Sequence, residues 1–277
     1  MVATPIGNLA DITLRALHVL QLADTLACED TRHSQALLRA YGIDKPAAHW
    51  LALHQHNEAQ AAQTVLERLQ AGQRVAYVSD AGTPGLRAPG ARLAAAVASA
   101  GLRAVPLPGA SSITAALSVA GAAASGADHS GFVFAGFLPT KAGERDAAVQ
   151  RLQAEPRCCV LLEAPHRIAA LAATLAALGE RPVTLARELT KQFEQITTLP
   201  AAALAGWLQQ DPLRCRGEFV VVLHPVAASA DQAQGLDVLQ RLLQELPLKS
   251  AVRLAADITG VPRNQLYEAA LALKAGA

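Results

Sequence analysis

Long apolar runs are missing from this chain of 277 residues, although 52% of them are hydrophobic. No stretch approaches the roughly 20 residues of a bilayer span, so no membrane partner is expected. The opening Met-Val-Ala-Thr-Pro has neither the basic region nor the apolar segment of a signal peptide, and a cytoplasmic location is expected. Aromatics are only 4% and methionine occurs once, so the core must come mostly from Ala and Leu. Cysteine is scarce too. Cys28, Cys158, Cys159 and Cys215 lack zinc-ligand spacing, and the first three fall in expected strands. They read as buried thiols rather than a disulfide framework, and no metal is expected. Charge of one sign is absent as well: 24 Lys and Arg oppose 23 Asp and Glu, for a net +1. No global field draws such a chain onto nucleic acid, so any RNA-binding surface has to be local.

What the chain does have is alternation of strand and helix patterns almost throughout, which argues for α/β architecture. Strands are expected at Val2–Thr4, Thr25–Cys28, His49–Leu53, Val75–Val78 and Ala104–Pro106. Helices are expected at Leu14–Leu22, Arg32–Ala40, Glu58–Ala71, Gly90–Ala100 and from Ser111 to about Gly121, with Thr31 and Asn57 at N-cap positions and Pro89 at a first helical position. The Ala/Gly/Ser-rich stretch 121–131 reads as a linker. Beyond it come strands Phe132–Gly136, Cys158–Glu163, Val183–Arg187, Glu194–Thr198 and Glu218–His224, and helices Glu144–Ala154, His166–Leu178 and Pro200–Gln209. Short connections between the last strands imply a mixed sheet. The expected division is an α/β domain over residues 1–121, a second over 122–226, and a tether with a helical tail over 227–277. In the tail, Lys249–Thr259, Gly260–Arg263 and Asn264–Leu273 read as helix, tight turn, helix. Its Lys249, Arg253, Arg263 and Lys274 suit phosphate contacts; the same shape equally suits a capping or dimer-contact hairpin.

One loop carries more information than any other. Ser79-Asp80-Ala81-Gly82-Thr83-Pro84 closes the strand Val75–Val78, and small residues at the carboxyl end of a parallel strand are where open α/β sheets bind ligands. An ordinary strand-to-helix turn fits the spacing as well. The loop has neither of the common phosphate-binding glycine spacings, so an NTP or dinucleotide held in the usual way is not indicated.

Nine stretches in order resemble one family. They are Val2–Thr13, Ala27–Ser34, His56–Glu58, Ser79–Pro84, Pro106–Ser111, Gly136–Pro139, Glu163–Arg167, Glu188–Lys191 and Gly217–Glu218. Together they are similar to the ribosomal RNA small subunit methyltransferase I family, among the tetrapyrrole-methylase-like (class III) S-adenosylmethionine enzymes. The resemblance is dense over residues 2–224, and the helical tail matches the small helix-turn-helix domain of that family. It implies a two-domain class III methyltransferase fold with a small C-terminal helical domain, acting as a homodimer on 16S rRNA in the small ribosomal subunit. The implied reaction is 2′-O-methylation of a decoding-region cytidine ribose, with S-adenosylmethionine as co-substrate. Carried over onto this chain, the donor-binding positions are Asp80, Ala81, Gly82, Thr83, Ser111 and Ser112, with the backbone at Glu163 and Leu189 completing the pocket.

A sulfonium donor is already a strong electrophile, so such an enzyme chiefly orients donor and acceptor in line. The acceptor hydroxyl is a weak acid and needs a nearby base, and a cation to stabilise the developing alkoxide. Asp30 with Arg32 is the candidate substrate-side cluster, Lys191 the candidate alkoxide or phosphate contact, and Glu188 a further acid from the second domain. Structural alternatives stand beside each. Asp30 or Thr31 suits a helix cap, Glu29–Arg32 an ion pair, Glu188 a partner for Arg187 or Arg167, and His166 a cap or solvent-facing residue. The chain departs from the family in reading Arg87-Ala88-Pro89-Gly90 where a Ser-Asp-Pro-Gly turn is usual. If that missing carboxylate only caps a helix, its loss costs about 1 kcal/mol. Met1-Val2 leaves almost no first strand, so a weak edge to the first sheet is expected. Competing readings are a methylase of small macrocycles and a donor-binding module without catalysis.

Overall fold

Three short parallel strands, β1 (Thr25–Cys28), β2 (Trp50–Ala52) and β3 (Val75–Val78), pair in the order β2-β1-β3, with Leu26 opposite Trp50 and Ala76. The computed structural model describes residues 1–54, 56–86, 90–122, 131–226 and 232–275. Successive strand residues point to opposite faces. Leu26, Cys28, Ala76 and Val78 therefore meet α1 (Leu14–Leu22) and α2 (Thr31–Ala40) on one side. Ala27 and Tyr77 meet α3 (Glu58–Gln70) and α4 (Gly90–Ser99) on the other. Leu20, Leu26 and Leu38 are fully buried, each contributing about 1.5–3 kcal/mol of hydrophobic stabilisation. Burial pushes the Cys28 thiol up to about 11, as an inert structural cysteine requires.

Two expected strands do not form. Val2 makes single parallel bridges to Val78 and Leu107, and Thr4 an antiparallel one to Gly82, instead of a continuous Val2–Thr4 strand. The segment Ala104–Pro106 likewise forms no ladder: its neighbour Leu107 makes a single bridge and the Val105 carbonyl accepts from the Met1 ammonium at 3.1 Å, while Pro106 and Pro108 have no N–H to offer. The first residues are nonetheless buried, with Val2 1% exposed and its N–H bonded to the Tyr77 carbonyl at 2.9 Å. The cap of α2 also moves by one residue. Asp30, not Thr31, is the N-cap, its Oδ1 accepting from the N–H groups of Arg32 and His33 at 2.8 and 3.3 Å. Asn57 occupies the cap position of α3 but turns its side chain backward, accepting from His54 N and donating to the Ala52 carbonyl.

The second sheet is mixed, as the short connections imply. Its five strands, β4 (Phe132–Gly136), β5 (Cys158–Glu163), β6 (Pro182–Arg187), β7 (Gln195–Pro200) and β8 (Phe219–Leu223), run in the order β4-β5-β8-β6-β7. Only β4 and β5 are parallel. Cys159, Leu161, Leu185, Val221 and Leu223 face α6 (Ala142–Ala154), α7 (Ile168–Leu175) and α8 (Leu204–Gln209). The other face, with Val160, Ala186, Val220 and Val222, is covered by Ile113, Ala116 and Ala120 of α5 (Ser112–Ala120). A helix that the sequence places in the first lobe thus packs on the second sheet, and Met1–Pro225 form one compact unit. Most of the expected linker at 121–131 and the start of the tether at 227 lie outside the described residues. The second unit, Val226–Ala277, packs α9 (Gln232–Glu245), α10 (Leu248–Thr259) and α11 (Arg263–Ala275) around Leu239, Ala255, Val261 and Leu266. Gly260, at φ 72°, ends α10 in the left-handed cap that glycine favours. Arg263 pairs with Asp257 at 2.8 Å, whereas Lys249 and Arg253 are exposed on α10. The Lys274 side chain lies outside the described residues.

A buried polar line crosses the second sheet. Thr184 Oγ1 lies 2.6 Å from Thr198 Oγ1 and 2.7 Å from His224 Nε2, and Arg181 donates to the carbonyls of His224 and Leu152 at 2.7 Å each. Burial, and secondarily the Arg181 charge, holds the His224 pKa below its ordinary value. A folded-state pKa below the unfolded one means that the unfolded chain binds the proton more readily. Stability is therefore full above the unfolded value of about 6.5 and falls as pH drops below it, until the folded histidine itself protonates. The melting temperature should fall more steeply between pH 7 and 5 in the native chain than in His224→Gln, as measured by thermal denaturation at matched ionic strength. Equal slopes would refute the assignment.

Candidate functional site

The ends of the two sheets place two cavities side by side. One, of about 380 Å³, is walled by Ile6, Leu162, Ala186, Leu189, Phe219 and Val220, with Glu163 and Glu218 among its polar residues. The other, of about 250 Å³, is formed largely by the loop Ser79–Leu86 with Glu29, Tyr77, Ser111 and Ser112. Ala81, Ser112 and Leu162 border both, so the two make one trough with an apolar and a polar end. It lies at the carboxyl ends of β3 and β5, where α/β sheets characteristically bind ligands.

The loop after β3 is knitted to its surroundings by backbone and hydroxyl groups. Gly82 exchanges two 3.0 Å hydrogen bonds with Thr4, and Thr83 Oγ1 donates to the Ala110 carbonyl at 3.0 Å. Gly82 sits at φ 78°, and a Cβ there would come within 3.2 Å of the Ile6 side chain, so glycine is required at this turn. Asp80 Oδ1 accepts from Asp30 N at 3.2 Å, and His33 Nε2 donates to the Asp80 carbonyl at 3.0 Å. Burial first, and then the nearby Glu29 and Asp80 charges, push the Tyr77 hydroxyl pKa up. Among the donor-binding candidates, Asp80, Ala81, Gly82, Thr83, Ser111, Ser112, Glu163 and Leu189 all border the trough. Arg87, Ala88 and Pro89, where the chain departs from the family it resembles, lie outside the described residues.

The catalytic candidates form two separate groups. Asp30 uses Oδ1 as the α2 cap, and those backbone N–H groups hold its carboxyl below the usual range. Arg32 is 92% exposed and lies 3.8 Å from Asp30. Glu188 and Lys191 belong to a tight turn after β6. Lys191 Nζ donates to Glu188 Oε1 at 2.9 Å and to Glu218 Oε2 at 2.8 Å. Glu188 therefore pairs with Lys191 rather than with Arg187 or Arg167. Arg187 donates instead to the carbonyls of Leu213, Arg216 and Phe193, and Arg167 pairs with Glu163 at 3.2 Å. Burial alone would raise the Glu188 pKa and lower that of Lys191, but their mutual pairing outweighs it and both remain charged. His166 is exposed, and the position before α7 belongs to Arg167. Among the described residues, no hydrogen bond or ion pair joins the Asp30 group to the Lys191 group, and no cluster of three or more His, Cys, Asp or Glu side chains could hold a metal.

Glu218 is a site residue that pattern reading did not assign. Its motif was visible, but its side chain reaches the trough only because Gly217, at φ 91°, lets the Glu188 side chain pack directly against the backbone. Glu188 and Thr190 are themselves non-glycine residues in the left-handed region, at φ 53° and 66°. Such outliers cost about 1–3 kcal/mol each and concentrate at functional sites. Here Glu188 N donates to the Glu218 carbonyl, Glu218 N to Glu188 Oε1, Lys191 N to the Glu188 carbonyl and Thr190 N to Glu194 Oε2.

Comparison with known proteins places this geometry. Residues 1–205 match the family Tetrapyrrole (Corrin/Porphyrin) Methylases, and residues 229–274 match the RsmI C-terminal HTH domain. The Ribosomal RNA small subunit methyltransferase I of Pseudomonas aeruginosa is 46% identical over 277 residues, covering 98% of this chain and 95% of that one. That of Escherichia coli O157:H7 is 46% identical over 275 residues, covering 98% and 93%. Among solved structures, cobalt precorrin-4 methyltransferase superposes with a TM-score of 0.58 at 19% identity, over 80% of this chain and 92% of its own. Uroporphyrin-III C-methyltransferase from Thermus thermophilus, complexed with S-adenyl homocysteine, gives 0.54 at 16%, over 80% and 94%. At those identities the likeness is one of fold: an α/β tetrapyrrole-methylase fold, followed here by a helical C-terminal unit.

The glycines make the clamp testable. Gly217→Ala should cost at least about 1–2 kcal/mol from left-handed backbone alone, plus displacement of Glu188, whereas Gly206→Ala in α8 has open space and should gain about 0.5–1 kcal/mol. Urea denaturation of both variants measures the contrast, and equal stability would refute the clamp.

Proposed function

The chain belongs to the ribosomal RNA small subunit methyltransferase I family, and we propose that it moves a methyl group from S-adenosylmethionine to the ribose 2′-oxygen of a decoding-site cytidine in 16S rRNA. It would do so on the small ribosomal subunit, as a cytoplasmic homodimer. The observation that carries this reading is the continuous trough bordered by Ala81, Ser112 and Leu162, with apolar surface at one end and loop backbone and hydroxyls at the other. An adenosyl-amino-acid donor has that same division between an aromatic base and a charged, hydrogen-bonding end.

The residues fit such a donor. Gly82 keeps the loop free of side chain, as close backbone approach to a ligand requires. Asp80, Ala81, Gly82, Thr83, Ser111 and Ser112 would hold the polar part, and the backbone at Glu163 with Leu189 would enclose the rest between the lobe of residues 1–121 and that of 122–226. The donor supplies a methyl group on a positively charged sulfur; the protein orients and screens it from water. Arg32, 92% exposed, is placed to meet an RNA phosphate, with Asp30 fixing its turn. An ammonium has three donors, and two from Lys191 are taken by Glu188 and Glu218. The third would serve the substrate oxygen. Lys249 and Arg253 on α10 offer a second phosphate-binding surface.

The test is transfer of label from S-adenosylmethionine to small ribosomal subunits from a strain lacking this gene. Label in a 16S ribose supports the reading; label in a tetrapyrrole but not in RNA sinks it. Lys191→Ala should slow transfer on the order of 100-fold while donor affinity, read by calorimetry, stays close to native. Normal turnover by Asp30→Ala, Glu188→Ala and Lys191→Ala alike would show the catalytic assignment to be wrong.

A further inference from the structure

We infer that Glu218 accepts the proton of the hydroxyl that is methylated, with Lys191 and Glu188 as its positioning residues; this rests on the ribose-methylation reading above. The other carboxylates near the trough are already engaged. Asp30 Oδ1 caps α2, and Asp80 Oδ1 accepts from the Asp30 backbone. Glu29 lies against the Tyr77 hydroxyl. Glu163 is 1% exposed at its side chain and paired with Arg167, and Glu188 Oε1 takes both Lys191 Nζ and Glu218 N. Glu218 combines exposure at the larger cavity with an ammonium beside it. Its side chain is 76% exposed and borders that cavity, and its Oε2 accepts from Lys191 Nζ at 2.8 Å.

Energetics favour a positional role for this carboxylate over a stabilising one. An exposed ion pair contributes little, whereas each of the two left-handed residues beside it is unfavourable. The Lys191–Glu218 pair cannot by itself sustain that turn. What the turn does achieve is placement. Glu218 is bonded through its carbonyl, its N–H and its carboxylate to Glu188 and Lys191, and a Cβ on Gly217 would overlap the Glu188 side chain. A carboxylate so held can act within the narrow geometry that proton transfer demands. As the ribose oxygen bonds to the methyl carbon, the carbon–sulfur bond breaks with its electron pair remaining on sulfur. The hydroxyl proton passes to Glu218 and from there to water. Lys191 stays an ammonium throughout and steadies the developing negative charge on oxygen.

The experiment uses the full-length protein with S-adenosylmethionine, unmethylated small subunits and, as the binding probe, S-adenosylhomocysteine. Glu218→Gln should slow single-turnover transfer on the order of 100-fold or more, with affinity for S-adenosylhomocysteine within about threefold of native. Glu218→Ala should be slow and partly restored by added formate, a small carboxylate able to occupy the vacated space. A Glu218→Gln rate within about threefold of native, or a rate loss matched by an equal loss of S-adenosylhomocysteine affinity, overturns the assignment. A native protein that binds S-adenosylhomocysteine but labels no ribose overturns instead the reading on which it rests.

Discussion

The turn Glu188-Leu189-Thr190-Lys191 is the constraint on which the rest of the site depends. It is wedged between two glycines distant in sequence: a Cβ on Gly7 would overlap the Lys191 side chain, and one on Gly217 would overlap Glu188. Two left-handed non-glycine residues are tolerated because the surrounding hydrogen bonds over-determine their conformation. Through Leu189 the turn supplies part of the apolar wall, through Glu188 and Lys191 it orients Glu218, and through Gly7 it fixes the segment that carries Ile6. Ile6 in turn borders the larger cavity and lies close to Gly82 in the loop after β3. One strained turn thereby joins the second sheet, the segment carrying Ile6 and the loop after β3 around the same cavity.

The second organising contact is α5. It begins at Ser112, beside the polar end of the trough, and buries Ile113, Ala116 and Ala120 against the second sheet. With so few aromatics, the cores are built mostly from Ala, Val, Leu and Ile. The trough has the division of labour expected where the reacting group is already activated. Its apolar end is lined by Ile6, Leu162, Leu189 and Phe219, and its polar end by the backbone and hydroxyls of the loop after β3.

Much of this was legible beforehand, for identifiable reasons. β1, β3 and β5 appeared where apolar runs bounded by turn residues placed them, because a strand buried along nearly its whole length is apolar along it; β4, only partly buried, was placed by its β-forming composition. The loop Ser79–Pro84 stood out because its small residues had no packing role. The failures are equally physical. Val2–Thr4 and Ala104–Pro106 have strand composition, but the prolines near Leu107 leave only isolated bridges. Thr31 and Asp30 are adjacent residues of similar capping chemistry, and only the backbone shows that Asp30 has the extended conformation a cap requires. The partner of Glu188 is Lys191, three residues on, rather than the adjacent Arg187, which turns its guanidinium to three backbone carbonyls.

The sequence by itself determined the α/β class, the alternation of elements, the helical tail and the position of the small-residue loop after β3. These are encoded in local periodicity and turn chemistry, which act over a few residues. Tertiary structure alone decided that α5 belongs to the face of the second sheet and that Asp30 and Lys191 stand in different groups. It alone also showed that Glu218 is exposed beside Lys191 at the larger cavity. That last placement involves the close approaches of Gly7 to Lys191 and of Gly217 to Glu188, which join residues far apart in the chain and follow no pattern along it.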